Sequence, residues 1–421
     1  MEKLVKTCEY LDGNISGHID VDIAGGKISP CCHRANSPVM ENINWDEWDK
    51  SCTVQLMEKR KELSRLLNEG KACQGCASIV KKAENEVDLD KIRVLAIAPF
   101  VTCNFRCVYC LPGDVLTSEK LKQEQTYLKP VLEKMYKSGL AKNIVNISIA
   151  GGEPLLINDI PEVIDFLGKK KNIGLSFISN SSLKNKVEKL AEVFAKSSTN
   201  IGKILYTSID CGTPETFKKI RGADLFETVC ENILNYIKKE SFEEYLLKYI
   251  FLFDQSNISD KDIFGFASFA QRAKNAFITD DLKGELSIVI SVDFIPQKKM
   301  TDEMINAAAK LYYIINNILN IKVVFIGGAV SENTELGRRT IESIKSQAEC
   351  WAKTKKTPDE EAFLSELESN IKTKPSHSNQ RGKKFFSIER KQTRVIMRIF
   401  GVKVAFKSKI MGNLLKRNFG I

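Results

Sequence analysis

The chain has 421 residues, with 63 Lys or Arg against 53 Asp or Glu and a formal net charge of +10. Apolar residues make up 43% of it, and its 22 Phe and 10 Tyr exclude a disordered chain. The length predicts two or three compact units. No apolar run approaches the ~20 residues of a membrane span, and the first ten residues lack the apolar core of a secretory signal. These features exclude collagen, coiled coils and integral membrane proteins, and they favour a cytoplasmic protein.

The 12 cysteines are unevenly distributed, and nine of them lie in the first 110 residues. Thiols stay reduced in the cytosol, so disulfides are not expected. Soft thiolate ligands select iron–sulfur clusters or zinc, and the N-terminal third is therefore predicted to bind metal. The isolated residues Cys211, Cys230 and Cys350 are expected to be small buried side chains.

Residues 1–88 are predicted to be turn-rich and irregular, apart from one helix from about Trp45 to Asn68. From Lys91 onwards, apolar runs alternate with amphipathic segments. The apolar runs that predict strands are Arg93–Ala98, Val145–Ala150, Gly174–Ser179, Ile204–Asp210, Leu246–Phe253, Leu286–Phe294 and Lys322–Ile326. The amphipathic segments that predict helices lie near 124–138, 158–169, 184–196, 224–239, 259–274 and 302–319. This alternation predicts an α/β fold whose parallel sheet forms an open or complete barrel, with its chemistry where the strands end.

The C-terminal part is predicted to be helical beyond about residue 335 and strongly basic at its end. Residues 381–421 hold 12 Lys or Arg against one acid, a net charge of +11, whereas the other 380 residues sum to −1. The charge of the chain therefore belongs to this tail. Its interleaved apolar residues predict docking on anionic lipid or on a partner enzyme, and a flexible extension without a binding role is the alternative. The predicted parts are thus 1–88, 89–335 and 336–421.

Three cysteines, Cys103, Cys107 and Cys110, follow the first predicted barrel strand with the spacing C-x3-C-x2-C. Three thiolates on one loop can ligate three irons of a [4Fe–4S] cluster and leave the fourth iron open, as a catalytic site requires. Zinc is the alternative metal. It would need a fourth ligand nearby, and no His or Cys lies between Leu111 and Ser208.

This loop, with Tyr109 before its last cysteine, resembles the radical S-adenosylmethionine (SAM) superfamily. The resemblance implies a partial (β/α)6 TIM-like barrel in which the open iron chelates the amino and carboxylate groups of SAM. It also implies one-electron cleavage of SAM to methionine and a 5′-deoxyadenosyl radical, which abstracts hydrogen from a substrate. The electron would come from a flavodoxin- or ferredoxin-type partner.

Two later strand ends carry further motifs of this family. Gly151-Gly152-Glu153-Pro154 follows the second strand, where glycines permit close backbone approach and turn carbonyls beside a carboxylate suit an ammonium group. It matches the family segment that binds the SAM amino group. Ser179-Asn180 follows the third strand, where the family often has a Ser-Asn or Thr-Asn pair near SAM, and a plain loop is the alternative.

The fourth strand ends in Ser208 and Asp210, and strand alternation places both on one face. A buried carboxylate at Asp210 needs a polar partner. The run through Arg221 resembles a family segment in which the Ser and Asp approach the SAM ribose and the Arg pairs with the SAM carboxylate. Cys211 is a candidate hydrogen-atom donor or a small buried side chain. The glycine-rich adenine segment of the family is not recognisable, so the adenine contacts stay unassigned.

A second metal site is predicted near the N-terminus. The order of Cys8, Gly26-x4-Cys31 and Cys73-x2-Cys76 resembles one half of the SPASM/twitch auxiliary-cluster module, which usually follows the barrel. One auxiliary iron–sulfur cluster ligated by Cys8, Cys31, Cys73 and Cys76 is the simplest interpretation, and Cys32 can replace Cys31. Structural zinc and unliganded cysteines are the alternatives.

The tail also weakly resembles basic C-termini of bacterial enzymes from surface-polysaccharide clusters. A sugar or sugar-nucleotide substrate is therefore expected, with dehydrogenation or epimerisation as the reaction, and attachment at the inner membrane face is considered. A peptide-modifying maturase is the alternative. A non-catalytic iron–sulfur electron carrier would leave Gly151–Pro154 and Arg221 unexplained. No specific nucleic-acid partner is expected, because no RNA-binding module is recognisable.

Overall fold

The computed structural model describes residues 3–8, 10–23, 25–30, 39–74, 76, 79–99, 102–110, 127–170, 172–197, 201–293, 298–332 and 334–371. Of residue 328 and of the segments 395–399 and 402–406, only the backbone is described. Cys31, Cys32 and nearly all of the basic tail lie outside the described residues. In the described part, no helix combines the length and apolar character needed to cross a membrane.

Nine strands form one sheet in the order β11-β10-β9-β8-β7-β6-β5-β2-β3. The strands of the described chain are β1 (Leu4–Cys8), β2 (His18–Asp22), β3 (Lys27–Ser29), β4 (Ile79–Ala83), β5 (Val94–Ala98), β6 (Asn146–Ile149), β7 (Ile173–Ile178), β8 (Ile201–Ser208), β9 (Glu244–Phe251), β10 (Glu285–Val292), β11 (Lys322–Phe325), β12 (Val395–Ile399) and β13 (Val402–Phe406). Every neighbouring pair from β11 to β2 is parallel, and only β3 is antiparallel to its neighbour. The predicted parallel α/β architecture is confirmed, and the sheet forms a partial barrel.

Helices follow the barrel strands as predicted. The described helices are α1 (Lys50–Asn68), α2 (Lys129–Lys137), α3 (Ile160–Gly168), α4 (Lys184–Lys196), α5 (Pro214–Arg221), α6 (Phe226–Lys238), α7 (Asp260–Thr279), α8 (Asp302–Tyr313), α9 (Glu335–Lys353) and α10 (Pro358–Ser369). A π-helical turn, Ile314–Ile318, continues α8. The helices α9 and α10 confirm the helical character predicted beyond residue 335.

The two faces of the sheet have different surroundings because side chains alternate along each strand. One face packs against the helices and holds residues such as Ile147, Leu175 and Leu247 in the main hydrophobic core. The opposite, inner face carries a second, smaller apolar cluster of Ile204, Tyr206, Leu246, Val289 and Ile326. The carboxyl ends of the parallel strands meet at one edge, and this edge positions the predicted site residues.

The N-terminal part contains short strands that the sequence does not predict. The strand β2 pairs in parallel with β5 and brings β3 into the barrel sheet, while β1 pairs antiparallel with β4 in a separate two-stranded sheet. The predicted helix is present as α1, whose N-cap residue Asp49 accepts hydrogen bonds from the N–H groups of Ser51 and Cys52. The division between residues 1–88 and 89–335 stays a prediction.

The basic tail is described only as backbone, in the antiparallel hairpin of β12 and β13.

The prediction that the three isolated cysteines are buried is confirmed for two of them. Cys211 and Cys230 are buried as expected, but Cys350 is exposed, and the expectation for it is wrong. The buried residues of α9, among them Ile341, Ile344 and Trp351, form a stripe along one side of the helix, and Cys350 lies off this stripe.

Candidate functional site

The loop after β5 carries Cys103, Cys107 and Cys110, of which the first two are half-buried and the third is exposed. The Cys103 sulfur accepts hydrogen bonds from the Phe105 N–H, at 3.4 Å, and from Asn180 Nδ2, at 3.6 Å. Burial raises the pKa of all three thiols, that of Cys107 to about 11, while the positive charge of Arg221 opposes the shift. The N–H donors and the guanidinium are groups that stabilise a metal-bound thiolate.

The cysteine loop is held against the end of α5 by backbone contacts. The Arg106 N–H donates to the Arg221 carbonyl at 3.0 Å, and the Val108 N–H donates to the Ile220 carbonyl at 2.9 Å. Gly222 ends α5 with a left-handed φ of 67°. A Cβ atom at Gly222 would lie 2.9 Å from the Arg106 backbone oxygen and Cβ, so only glycine allows this approach.

Aromatic contacts with α5 also hold the cysteine loop in place. Phe105 is buried and meets Phe217 of α5 edge to face, with 5.8 Å between the ring centroids. The Arg221 guanidinium lies 5.3 Å from the centroid of the Phe105 ring and 5.7 Å from that of Tyr109. These contacts hold the guanidinium beside the cysteines.

A buried polar triad links the loop to the end of β8. The Tyr109 hydroxyl donates to Asp210 Oδ2, and Arg221 Nη1 donates to both the Tyr109 oxygen and Asp210 Oδ2, the latter at 3.0 Å. Burial raises the pKa of Asp210, and the neighbouring Arg221 and Tyr109 oppose this shift. Arg221 Nε is buried without a hydrogen-bond partner among the described residues. A donor left in this position is suited to an acceptor such as a ligand carboxylate.

Asp210 is held in an uncommon backbone conformation, with φ of 67°. Its Oδ1 accepts the Ile250 N–H at 3.0 Å. Asn257 donates from Nδ2 to the carbonyls of Asp210 and Ile250, each at 2.7 Å. The sequence analysis does not identify Asn257 as a site residue. The signal that could have identified it is its position as an asparagine shortly after the fifth barrel strand.

Glu153 connects three loops at the carboxyl edge of the sheet. Its carboxylate accepts hydrogen bonds from the Ser179 hydroxyl at 2.7 Å, the Asn180 N–H at 2.7 Å and the Leu155 N–H at 2.9 Å. Its own N–H donates to the Thr102 carbonyl, in the cysteine loop, at 2.8 Å. Burial raises the pKa of Glu153, and these three hydrogen bonds to the carboxylate oppose the shift. The carboxylate thus positions its neighbours.

The rest of the Gly151–Pro154 segment forms the turn around Glu153. Gly151 and Gly152 adopt positive φ of 83° and 54°, and Pro154 begins a short 3-10 turn. Asn180 Nδ2 also donates to Asn104 Oδ1 at 2.9 Å. Asn104 is a second residue that sequence reasoning missed, because the positions between the cysteines carry no signal of their own.

Ser208 and Cys211 lie on either side of Asp210 but in different surroundings. Ser208 is half-buried and pairs across the sheet with Lys248 of β9, on the inner face. Cys211 is buried in the main core, where its thiol donates towards the carbonyls of Ile209 and Thr213 at 3.5 and 3.6 Å. The structure therefore brings Ser208 to the inner face and turns the Cys211 sulfur into the core.

Three of the predicted auxiliary ligands, Cys8, Cys73 and Cys76, lie in the same N-terminal region. Cys8 and Cys73 belong to one small apolar cluster, and the Cys76 N–H donates to the Cys73 carbonyl at 3.1 Å. Burial raises the pKa of Cys8 to about 11, and the thiols of Cys76 and Cys73 raise it further by their charge. Among the described residues, no three His, Cys, Asp or Glu side chains are close enough to hold one metal ion. Cys52 packs against the main core.

Arg60 of α1 shapes the Cys8 segment and is fully buried. Its guanidinium donates to the carbonyls of Leu11 at 2.6 Å, Leu89 at 3.0 Å and Tyr10 at 3.1 Å. Burial lowers the pKa of Arg60 to about 10, and the nearby Cys8 is the first of several groups whose charge opposes this shift. Arg60 therefore fixes the turn that follows β1.

The described residues form a parallel α/β partial barrel in which three thiols follow the first barrel strand and lie beside a buried Asp–Arg pair. Residues 97–267 match the family model of the radical SAM superfamily, and this part of the chain is a radical SAM domain. The cofactors of that family are a [4Fe–4S] cluster and SAM. The residues present fit them by their chemistry, because one loop supplies three thiols and Arg221 Nε has no acceptor among the described residues.

Several curated proteins are similar to part of this chain. A GTP 3′,8-cyclase of Aliarcobacter butzleri (strain RM4018) is 31% identical over 144 residues, which cover 34% of this chain and 42% of that protein. A GTP 3′,8-cyclase of Campylobacter jejuni (serotype O:6, strain 81116) is 30% identical over 193 residues, covering 44% of this chain and 54% of that protein. The chain spans about half the length of these curated relatives.

The chain is also similar to solved structures of other proteins. The crystal structure of HydG, a maturase of the [FeFe]-hydrogenase, is 12% identical, with a TM-score of 0.40, over 71% of this chain and 68% of that chain.

Proposed function

We propose that the protein is a radical SAM enzyme that removes a hydrogen atom from a small polar substrate. The observation that carries this proposal is that hydrogen bonds join the three-cysteine loop to the Glu153 turn and to the Asp210–Arg221 pair at one edge of the barrel sheet. When bound, the cluster and SAM supply one-electron cleavage to methionine and a 5′-deoxyadenosyl radical.

In this proposal, the thiols of Cys103, Cys107 and Cys110 bind three irons of the cluster. The Phe105 N–H and the Asn180 amide donate to the Cys103 sulfur and so stabilise its negative charge. The resemblance of the loop to the family supports these roles.

Arg221 is proposed to bind the SAM carboxylate through Nε, which is the unpaired donor in the buried triad. Asp210 and Tyr109 hold the guanidinium in place, and Ser208 supplies a hydroxyl on the inner face for the ribose. The backbone of Gly151 and Gly152 is proposed to bind the SAM amino group. The Glu153 carboxylate is already used by three protein donors and positions this turn.

We further propose one auxiliary iron–sulfur cluster at Cys8, Cys73 and Cys76, with Cys31 as the fourth ligand. The proximity of the three described thiols supports it. Cys32 in place of Cys31, and zinc in place of the cluster, are outcomes that metal analysis separates.

The proposed substrate is a sugar or sugar nucleotide that undergoes dehydrogenation or epimerisation, with an electron supplied by a flavodoxin- or ferredoxin-type protein. Nucleotide cyclisation is a second candidate, because relatives that match part of this chain are named GTP 3′,8-cyclases. A peptide-modifying maturase is a further alternative.

Electron paramagnetic resonance tests the proposed cofactor site. The protein is reconstituted anaerobically with iron and sulfide, reduced with dithionite, and measured with and without SAM. A Cys8→Ala/Cys73→Ala/Cys76→Ala variant isolates the barrel cluster. SAM is expected to shift the signal of the reduced cluster, because it binds the open iron. An unchanged signal at saturating SAM would contradict the proposal.

A further inference from the structure

The inner face of the barrel sheet carries buried polar groups that have no hydrogen-bond partner among the described residues. They are the hydroxyls of Ser148, Ser176, Tyr206 and Ser287 and the side-chain amide of Asn146. All five side chains are at least nine-tenths buried. Buried polar atoms are nearly always paired in folded proteins, so a cluster of unpaired ones indicates a place where a polar ligand or water binds.

The strand register places these groups on one continuous surface. Ser148 of β6 lies beside Ser176 of β7, and Tyr206 of β8 lies beside Leu246 of β9, which in turn lies beside Ser287 of β10. The facing positions on β5 and β7 are small, namely Ala96 and Gly174. Short side chains therefore line much of the β5–β7 part of the inner face, and Tyr206 lies on β8, the strand next to β7.

A lysine lies on this inner face next to the proposed SAM site. Lys248 of β9 pairs in register with Ser208 of β8 and with Val289 of β10, one step nearer the carboxyl edge than Leu246. It is half-buried. Its backbone carbonyl accepts hydrogen bonds from Ile209 and Asp210, whereas its ammonium group has no hydrogen bond or ion pair with the described residues. The charged groups that act on it are Asp210, which raises its pKa, and Arg221, which lowers it. Burial is the largest influence and also lowers the pKa.

Asp210 does not neutralise Lys248, because its carboxylate is already bound by Arg221, Tyr109 and the Ile250 N–H. An unpaired, half-buried ammonium group among unpaired hydroxyls is suited to an anionic group that carries further polar groups with it. The enclosed position of these side chains favours a small molecule over a peptide chain.

We propose that Lys248 binds a phosphate or carboxylate group of a small, hydroxyl-rich substrate inside the barrel, and that Tyr206 and the neighbouring serines bind its polar remainder. This inference rests on the proposed function, since it places the substrate directly beside the SAM site. The inference narrows the proposed substrate to a molecule with a negatively charged group, and a neutral sugar has no such group.

Calorimetric titration under anaerobic conditions tests the proposal on the reconstituted full-length protein. SAM is titrated first, because a wild-type protein that does not bind SAM would disprove the proposed function itself. Glucose 1-phosphate, glucuronate, GTP and glucose are then titrated into the SAM-bound protein. Glucose 1-phosphate and glucuronate separate phosphate from carboxylate recognition, and GTP tests the nucleotide source of phosphate.

At least one anionic probe is expected to bind, and glucose is expected to bind at least about tenfold more weakly. Lys248→Gln is expected to reduce the affinity for the anionic probe by about tenfold or more, whereas Lys248→Arg retains most of it. Tyr206→Phe removes only a hydroxyl and is expected to weaken binding by a few fold. The matched control is Lys261→Gln, which removes one positive charge from an exposed position on α7.

Three results would overturn the inference while leaving the proposed function intact. All three require a protein that binds SAM. The first is that glucose binds as tightly as the anionic probes, and the second is that the wild type and Lys248→Gln bind the anionic probe with equal affinity. The third is that none of the four probes binds.

Discussion

Arg221 is the residue on which the proposed SAM site depends most. It forms a buried pair with Asp210, and its Nε is buried without a hydrogen-bond partner among the described residues. Lysine at this position would keep the positive charge. It would lose the planar guanidinium, whose Nη1 contacts both Tyr109 and Asp210 while Nε offers a further donor. We expect Arg221→Lys to weaken SAM binding by about tenfold or more, as measured by equilibrium dialysis of the reconstituted protein.

Lys218→Ala is the control for this substitution. Lys218 lies on the same helix as Arg221 and forms an exposed ion pair with Asp224 at 3.2 Å. Exposed pairs contribute little to stability, and this variant is expected to bind SAM like the wild type. If Arg221→Lys also bound SAM normally, Arg221 Nε would have no part in holding the ligand.

The residues that sequence reasoning identified stand in motifs whose spacing marks them. Asp210 and Arg221 are predicted together from one segment, and the structure joins them at 3.0 Å. Asn104 and Asn257 are not predictable in this way, because their contacts arise only when separate loops meet. The Cys211 sulfur shows the same limit, since its direction depends on the backbone at the end of β8 and not on its neighbours in sequence.

At the scale of elements, the contact between the cysteine loop and the end of α5 depends on Gly222. Alanine there would combine a left-handed φ with a Cβ atom 2.9 Å from the Arg106 backbone oxygen. We expect Gly222→Ala to reduce the free energy of unfolding by ~1–3 kcal/mol and to lower the iron bound to the barrel site. Chemical denaturation and iron analysis after reconstitution measure these two effects.

Gly139→Ala separates backbone strain from the close contact. Gly139 also has a positive φ, of 86°, but a Cβ atom added to it would meet nothing within 4 Å. Its substitution is expected to cost about 1 kcal/mol and to leave the iron content unchanged. Equal iron losses in the two variants would show that the α5 contact does not support the cysteine loop.

The strand β9 carries a second testable feature, at its amino end. Burial raises the pKa of Glu244 to about 7, the nearby Glu285 raises it further, and Lys322 opposes the shift. A carboxyl group whose pKa is higher in the folded state stabilises the protein at low pH. This contribution to the free energy of unfolding is lost as the pH rises from the unfolded-state pKa of about 4.5 to the folded-state pKa of about 7. We expect the free energy of unfolding to fall more steeply over this range in the wild type than in Glu244→Gln. Parallel pH profiles for the two proteins would contradict this assignment.

Most barrel elements were predictable because long apolar runs alternate with amphipathic segments. The strand β7, for example, spans Ile173–Ile178, where the sequence predicts Gly174–Ser179. The short strands β1 to β4 were not predictable, since each has only 3 to 5 residues and polar neighbours. Their pairing depends on distant segments, as when β2 adds to β5.

For the whole molecule, the account proposes two separate metal sites that depend on different cysteines. The Cys103→Ala/Cys107→Ala/Cys110→Ala variant should therefore retain about four irons per chain after reconstitution, held by the N-terminal site. Adding Cys8→Ala should remove them. Iron and acid-labile sulfide analysis measures both variants. Retained zinc without sulfide would assign a structural zinc site, and loss of all metal in the triple variant would refute a second site.

The central claim is that the barrel performs radical SAM chemistry, and product analysis tests it most directly. The reconstituted wild-type protein is incubated anaerobically with dithionite and SAM, and 5′-deoxyadenosine and methionine are quantified by mass spectrometry. The account predicts that both form in equal amounts and that the Cys103→Ala/Cys107→Ala/Cys110→Ala variant forms neither. A cluster-loaded wild-type protein that yields no 5′-deoxyadenosine would contradict it.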